Sequence, residues 1–122
     1  MNQNQLNNRK FKLWYYHVNH KEVLIRSIKD SCFETNIDLY FADVDYVEIP
    51  SVLTDLMVEE ANEKDVKYLR KKLNKNVSRD NIKVIISNRS RFYIVAEVFK
   101  IMENTLDIMQ VPFPVFIKGI NV

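Results

Sequence analysis

The chain has 122 residues, a formal net charge of +2, one cysteine and one glycine. This length fits one domain, and the apolar fraction of 47% is too high for a disordered chain. The single cysteine, Cys32, excludes an internal disulfide and favours a reduced setting. The polar amino terminus lacks an apolar segment of signal-peptide length, and no run approaches the roughly 20 apolar residues of a membrane span. We therefore predict a soluble, cytoplasmic protein that does not engage a membrane.

The scarcity of glycine argues against several classes of site. Loops that cradle phosphate need several glycines, because backbone N–H groups must approach the ligand without an intervening Cβ. With Gly119 as the only glycine, P-loop, dinucleotide-binding and nucleophile-elbow sites are disfavoured. We expect asparagine to occupy the turns instead, since it tolerates left-handed backbone better than most residues.

The first half of the chain predicts strands. Residues 1–10 are polar, and we expect them to be disordered. The aromatic and β-branched runs at 12–18 and 22–28 predict a hairpin, and residues 36–50 predict a long strand that Pro50 ends.

Residues 62–75 predict the main helix. Asn62 is a suitable N-cap, acidic residues follow in the first turn, and lysines lie toward the end. Val66, Leu69 and Leu73 recur at helical spacing and form a core-facing stripe.

The other segments complete the prediction. Residues 51–61 are compatible with a short helix or an extended connection, and 82–87 with 91–101 predict a second hairpin. Residues 105–110 predict another strand, and the proline-containing residues 111–122 an extended tail. The order of these predicted elements indicates a single α+β domain that spans residues 1–122. Its mostly antiparallel, curved sheet has about six strands, and the helix packs on it.

The stretch "YFADVDYVEIP" (residues 40–50) breaks the apolar alternation of the long strand. A single unbroken pleat would bury Asp43 and Asp45 without partners, which is unfavourable. A β-bulge near Ala42 would turn both carboxylates outward, and a second irregularity near Tyr46 would restore the original face. We predict exposed aspartates at a bend. Their capacity for a divalent cation, which prefers carboxylate oxygens, stays open.

Charge is segregated along the sequence. Residues 31–65 hold ten carboxylates against one lysine, whereas residues 66–100 hold ten basic residues against two carboxylates. Either the two parts neutralise each other through weak surface pairs, or an acidic surface steers a basic partner toward the protein. Residues 64–79 also form a basic helix that offers phosphate contacts, although the acidic half would repel a polyanion.

Catalytic and metal signatures are weak. His17, His20 and Cys32 are zinc-ligand types, but the two histidines span a predicted turn and no second pair completes a tetrahedral set. Cys32 lacks an oriented base, and no segment combines a nucleophile, a base and an oxyanion donor. We therefore predict no enzymatic activity, no cofactor and no metal. Oligomeric state has no signature in the sequence.

Three segments, "LWYYHVNHKEVLIRS", "NIDLYFADVDYVEIP" and "RFYIVAEVFKIMENTLDIM", together resemble small bacterial immunity proteins. Such proteins are encoded beside polymorphic secreted toxins, for example those of contact-dependent inhibition systems. The resemblance implies a stoichiometric inhibitor of one toxin domain and carries over no residue by position. Many such toxins are nucleases with basic clefts, so we expect an acidic surface to make the contact. The expected contact residues are Asp43, Asp45, Glu48, Asp55, Glu59 and Glu60. A nucleic-acid-binding accessory domain that uses the basic helix is the alternative.

Overall fold

The structure, a computed structural model, describes residues 6–113, 116–117 and 120–121. Seven strands form one antiparallel sheet: β1 Lys10–His17, β2 Glu22–Ser27, β3 Asn36–Glu48, β4 Val52–Thr54, β5 Met57–Glu60, β6 Ile82–Ser87 and β7 Ser90–Asn104. The helix α1 spans Glu63–Leu73, a 3-10 turn spans Arg79–Asn81, and β8 Phe116–Ile117 pairs separately with β9 Ile120–Asn121. The mostly antiparallel sheet with one α-helix agrees with the predicted α+β class, although the main sheet has seven strands instead of about six.

The strand order forces the sheet to curl. The order is β4-β1-β2-β3-β7-β6-β5, so β4 and β5 lie at opposite edges although only Asp55 and Leu56 connect them. Thr54 and Ser87 join the edge strand β4 to β6: the Thr54 N–H donates to Ser87 Oγ and the Ser87 hydroxyl donates to the Thr54 carbonyl, each over 2.9 Å. The curled sheet encloses the main core, which includes the fully buried Phe11, Val23, Ile25, Leu39, Phe41, Leu53, Leu56, Ile85 and Ile94.

Helix α1 forms a second apolar cluster with β6 and β7. Its buried Val66 and Leu69 pack with Val84 of β6 and Val95 of β7. Asn62 caps the helix as predicted: its side chain accepts a hydrogen bond from the Asp65 N–H at 2.9 Å, and the Asp65 carboxylate accepts one from the Asn62 N–H at 2.8 Å. The predicted helix 62–75 is thus present within one or two residues at each end.

Two segments of the chain need comment. Residues 51–61, whose sequence is compatible with a short helix or an extended connection, are extended and form the short strands β4 and β5. Residues 105–110 are not a strand, because β7 continues to Asn104 and the chain then leaves the sheet. The amide of Asn36 holds this segment by donating to the Asn104 side chain at 2.9 Å and to the Leu106 carbonyl at 2.8 Å.

The ends of the chain also differ in part. Leu6 and Arg9 are each only 4% exposed, so the prediction of disorder is wrong for residues 6–10. Phe113 packs against Tyr15 and Tyr40 with ring centroids 5.2 and 4.8 Å apart. The remainder of the predicted terminal segments, residues 1–5, 114–115, 118–119 and 122, lies outside the described residues. Within the described part of the chain, no helix has the length and apolarity that crossing a membrane would require.

Candidate partner-binding surfaces

The long strand β3 bends where its sequence predicts, but its pairing with β7 shifts register once, near Tyr46. Ala42 and Val44 keep the same register, so the β-bulge predicted near Ala42 is absent and the first irregularity lies in the backbone of Asp43. Asp43 adopts left-handed backbone with φ 51°, and the register against β7 shifts between Val44 and Tyr46. Val44 is 6% exposed and lies in the core, and its N–H donates to the Lys21 carbonyl at 3.0 Å. Asp43 and Asp45, on either side of Val44, are exposed. The bend therefore presents both carboxylates to solvent.

Asp45 is already shared between two lysines. Lys75, just after α1, lies 3.7 Å from Asp45 Oδ2, and Lys21 lies 3.9 Å from Oδ1. The side chain of Asp45 is 44% exposed, and both lysine side chains are more than half exposed. Pairs this exposed contribute little to stability, so a partner can displace the lysines at small cost.

Glu48 is held more firmly. Its Oε1 accepts hydrogen bonds from the Tyr46 hydroxyl at 2.6 Å and from the Tyr68 hydroxyl of α1 at 2.8 Å, with Lys72 at 3.9 Å. Burial and the hydrogen bond to Glu48 raise the pKa of Tyr46 to about 12. Glu48 thus orients the β3 bend against the helix. We call Asp43, Asp45 and Glu48 the acidic strip.

The other three predicted contact residues lie elsewhere. The register runs from Glu48 through Tyr93 and Val84 to Glu59, so three strand spacings, about 14 Å, separate the two glutamates. Glu59 is 3.4 Å from Arg91, and Glu60 follows it on β5. Asp55 lies in the connection between β4 and β5, where its carboxylate accepts a hydrogen bond from the Asn8 N–H at 3.3 Å. The six carboxylates therefore occupy three places rather than one surface.

The exposed side of α1 is basic. Lys64, Lys67 and Lys71 are exposed, and none has a carboxylate within 4 Å among the described residues. We call these three the basic face. Other cations of the predicted basic segment serve the fold, because Arg70 donates to the Val77 carbonyl at 3.2 Å and Arg79 to the Ala61 carbonyl at 2.8 Å. The basic surface is therefore narrower than the sequence indicates.

The zinc-type residues do not converge. His17 and His20 stack with ring centroids 4.0 Å apart at the β1–β2 turn, and the His20 N–H donates to His17 Nδ1. Cys32 is exposed and lines a pocket with Lys12, five residues and about 16 Å along β1 from His17. Among the described residues, no three His, Cys, Asp or Glu side chains group as metal ligands would.

Two ionic contacts of buried carboxylates are not evident from the sequence. One is buried on both sides, and in the other the arginine side chain is 35% exposed. Arg26 and Asp38 are 1% and 0% exposed and pair across β2 and β3, with distances of 2.6 and 2.9 Å between guanidinium and carboxylate. Asp65 of α1 makes a similar contact with Arg91 of β7. The signal for the first pair lies in the register, since Arg26 and Asp38 are direct cross-strand partners. Neighbouring positions on a sheet face cannot be read from a single strand's alternation.

Comparison with known proteins gives no further guide to function. No family model, curated protein or solved structure matches this chain. The arrangement of the charged side chains therefore carries the functional argument.

Proposed function

We propose that this protein is a non-catalytic protein-binding module, an immunity protein that binds and neutralises a cognate toxin domain. The observation that carries the proposal is the pair of exposed carboxylates, Asp43 and Asp45, held side by side at a left-handed bend of β3. Irregularities of this kind re-aim side chains and are frequent beside functional sites. The resemblance of the strand segments to immunity proteins supports the same class of function.

The electrostatics of the acidic strip favour a basic partner. Among the described residues, Asp45 forms ion pairs with the exposed Lys21 and Lys75 only, and Asp43 forms none. A cationic surface, such as the phosphate-binding cleft of a nuclease-type toxin, can replace Lys21 and Lys75 around these carboxylates. Charge complementarity of this kind accelerates association and makes it sensitive to salt.

The test is charge reversal after capture of the partner. The tagged protein is used to pull down partners from a nuclease-treated extract of its native cells, and the captured toxin domain is then purified. We expect Asp43→Lys/Asp45→Lys to weaken binding of that domain by at least about tenfold, mainly through slower association. The strip predicts that this loss is larger at low salt.

A matched control separates local from overall charge. Glu34→Lys/Asp107→Lys makes the same change in net charge at two other exposed carboxylates. If this control weakens binding as much as the Asp43/Asp45 variant, net charge explains the effect and the acidic strip is not the contact. If neither variant changes affinity, the contact lies on another surface. The immunity role is then judged separately, by whether a toxin domain is captured.

The exposed basic face supports a second candidate, a nucleic-acid-binding accessory domain. Lys64, Lys67 and Lys71 follow one side of α1 and are available to phosphates. Against it, the acidic strip lies beside the same helix, where Lys72 and Lys75 contact Glu48 and Asp45. Binding of labelled single-stranded and duplex oligonucleotides at two salt concentrations, with Lys67→Gln/Lys71→Gln as the test variant, distinguishes the two functions.

A further inference from the structure

Strand β7 is far longer than the strand beside it. It runs over Ser90–Asn104, whereas β6 begins at Ile82, opposite Val95. On its other side, β7 pairs with β3 from Tyr93 to Asn104. The second half of β7, residues 97–103, therefore has a neighbouring strand on one side only, within the part of the chain that the structure describes. We call this segment the free edge.

The turn before β7 fixes which backbone groups face the free edge. Asn88 and Arg89 are both left-handed, with φ 52° and 68°, and form a two-residue hairpin turn in which Ser87 and Ser90 pair. The N–H of Ser90 therefore points toward β6. Along an antiparallel strand, the backbone N–H and C=O groups of successive residues point to opposite neighbouring strands. In β7, those of even-numbered residues therefore point to the β6 side and those of odd-numbered residues point to β3. Val98, Lys100 and Met102 thus direct their N–H and C=O groups outward.

A cavity adjoins the free edge beside the first residues of β6. It has a volume of about 310 Å³, and its lining combines apolar Val58, Ile82 and Phe99 with charged Glu60, Arg79 and Lys83. A strand that continued the line of β6 along the free edge would end at this cavity. The edge supplies backbone hydrogen bonds and the cavity supplies a place for one terminal side chain, as in recognition by strand addition.

The charges of the free edge indicate whether the added strand comes from a second copy of this chain or from a different protein. If the free edge paired fully with itself about a two-fold axis, Lys100 would face Lys100 and Glu97 would face Glu103 of the other copy. Like charges directly opposite each other destabilise a strand pair, and a lysine in the centre of an edge discourages self-association. A complementary segment instead carries an acidic residue opposite Lys100 and a basic residue opposite Glu97. Glu103 is partly engaged, since it accepts the Thr35 hydroxyl at 2.6 Å.

We propose that the free edge of β7 binds an extended segment of a partner protein as an eighth, antiparallel strand. The segment has apolar residues facing Phe99 and Ile101, which pack partly against the core, and the basic–acidic–basic charge order set by Glu97, Lys100 and Glu103. This inference rests on the proposed protein-binding function and adds a second contact to the acidic strip. It assigns the backbone contact to β7 and the electrostatic contact to β3.

The experiment uses the full chain and a synthetic peptide, Lys-Thr-Val-Glu-Val-Thr-Lys, blocked at both ends. In the free protein, we expect the amides of Val98, Lys100 and Met102 to exchange with solvent at least about tenfold faster than those of Phe99 and Ile101. Millimolar peptide should slow exchange of the three outward amides and shift their NMR signals. The charge-inverted peptide, Glu-Thr-Val-Lys-Val-Thr-Glu, should have a markedly smaller effect.

Substitution at the centre of the edge completes the test. Lys100→Pro removes an outward N–H without removing a hydrogen bond to β3, so it should abolish the response to the peptide, whereas Lys100→Ala should retain most of it. Should Lys100→Pro unfold, the exchange pattern of the unaltered protein decides. Three results would overturn the inference: outward amides already protected in the monomer, the same amides protected by dimerisation, or peptide shifts confined to other strands. If the peptide does not affect the outward amides but the toxin domain is still captured, only the inference about the free edge is rejected. If the peptide protects these amides but no toxin domain is captured, only the proposed function is rejected.

Discussion

Asp65 of helix α1 and Arg91 of strand β7 form a two-point contact, with Arg91 Nη2 2.6 Å from Asp65 Oδ2 and Arg91 Nε 3.1 Å from Oδ1. The same carboxylate accepts the Tyr93 hydroxyl at 2.8 Å and the Asn62 N–H at 2.8 Å. Asp65 is 3% exposed, so nearly all of its hydrogen-bonding capacity is used inside the protein. One side chain thereby caps the helix and fixes it to the sheet.

We expect Asp65→Ala to be strongly destabilising. It leaves the Arg91 guanidinium, the Tyr93 hydroxyl and the helix start without their shared acceptor, and breaking a contact of this kind costs about 3 kcal/mol. Urea unfolding measures the difference. The control is Glu63→Ala, an exposed acidic residue in the same first turn, which should change the free energy of unfolding by less than about 1 kcal/mol. Equal effects of the two substitutions would mean that helix-end charge, and not the contact with β7, is what matters.

The contact also predicts acid sensitivity. Burial opposes ionisation of Asp65, but the hydrogen bonds from Arg91, the Asn62 N–H and Tyr93 outweigh it and lower the pKa of Asp65. A carboxylate with a lowered folded pKa stabilises the protein fully above its unfolded pKa of about 3.9, and the contribution is lost as pH falls through the folded value. Unfolding free energies measured between pH 6 and pH 3 should thus fall less steeply for Asp65→Asn than for the unaltered protein. Parallel curves would contradict this.

The buried Arg26–Asp38 pair predicts asymmetric mutational effects. Asp38→Ala leaves a buried guanidinium with the Gln110 carbonyl, 2.8 Å from Arg26 Nη1, as its remaining hydrogen-bond acceptor, and should cost about 3–5 kcal/mol. The double substitution Arg26→Met/Asp38→Leu should recover most of that loss, because no uncompensated charge remains. A double-mutant cycle measured by urea unfolding gives the coupling. Additive effects of the two positions would show that the pair is not coupled.

Local patterns predicted most of the fold. The helix was correct because its cap, its charge distribution and the Val66–Leu69 stripe agree with one another. The bend at Asp43 was also correct, because burying two unpaired carboxylates is too costly for any other outcome. Among the described residues, seven other than glycine adopt positive φ. Three of them are asparagine, the residue expected at the turns, and two are aspartate.

The remaining features depend on contacts between distant parts of the chain. Residues 105–110 are apolar enough for a strand, but they lie off the sheet, where the Asn36 amide donates a hydrogen bond to the Leu106 carbonyl. The division of the predicted acidic surface arises because β7 and β6 intervene between Glu48 and Glu59. The alternation of apolar and polar residues within one segment does not determine the order of the strands in the sheet. Neither the conformation of residues 105–110 nor the separation of Glu48 from Glu59 could therefore be predicted from it.

The end of α1 offers a stabilising substitution. Asn74 is left-handed with φ 52°, and its N–H donates to the Arg70 carbonyl. Glycine is the favoured residue at this position because it has no Cβ, so Asn74→Gly should stabilise the protein by about 0.5 kcal/mol. Asn74→Val should destabilise it by more than about 1 kcal/mol, because a β-branched side chain disfavours left-handed backbone. Thermal unfolding measures both. Asn76→Gly serves as control, since Asn76 has no positive φ and should lose stability instead.

The lysines that contact the acidic strip distinguish the two candidate functions. Lys72 and Lys75 are exposed and lie 3.9 and 3.7 Å from Glu48 and Asp45, so Lys72→Gln/Lys75→Gln should change the free energy of unfolding by less than about 1 kcal/mol. The same double substitution removes positive charge beside the strip. A basic toxin domain should therefore associate several-fold faster at low salt, whereas any binding of oligonucleotides to the helix should weaken.

Lys10→Gln/Lys12→Gln provides the matched control, because these exposed lysines lie on β1 and the substitution changes net charge by the same amount. Stopped-flow association measured at two salt concentrations compares the two double variants. A larger gain for Lys72→Gln/Lys75→Gln assigns the encounter to the acidic strip, because the affected lysines contact Asp45 and Glu48 directly. An equal increase in association rate for the two double variants would mean that net charge alone explains the effect. A loss of partner binding would instead assign the contact to the basic side of α1, and the acidic strip would then serve only to neutralise it.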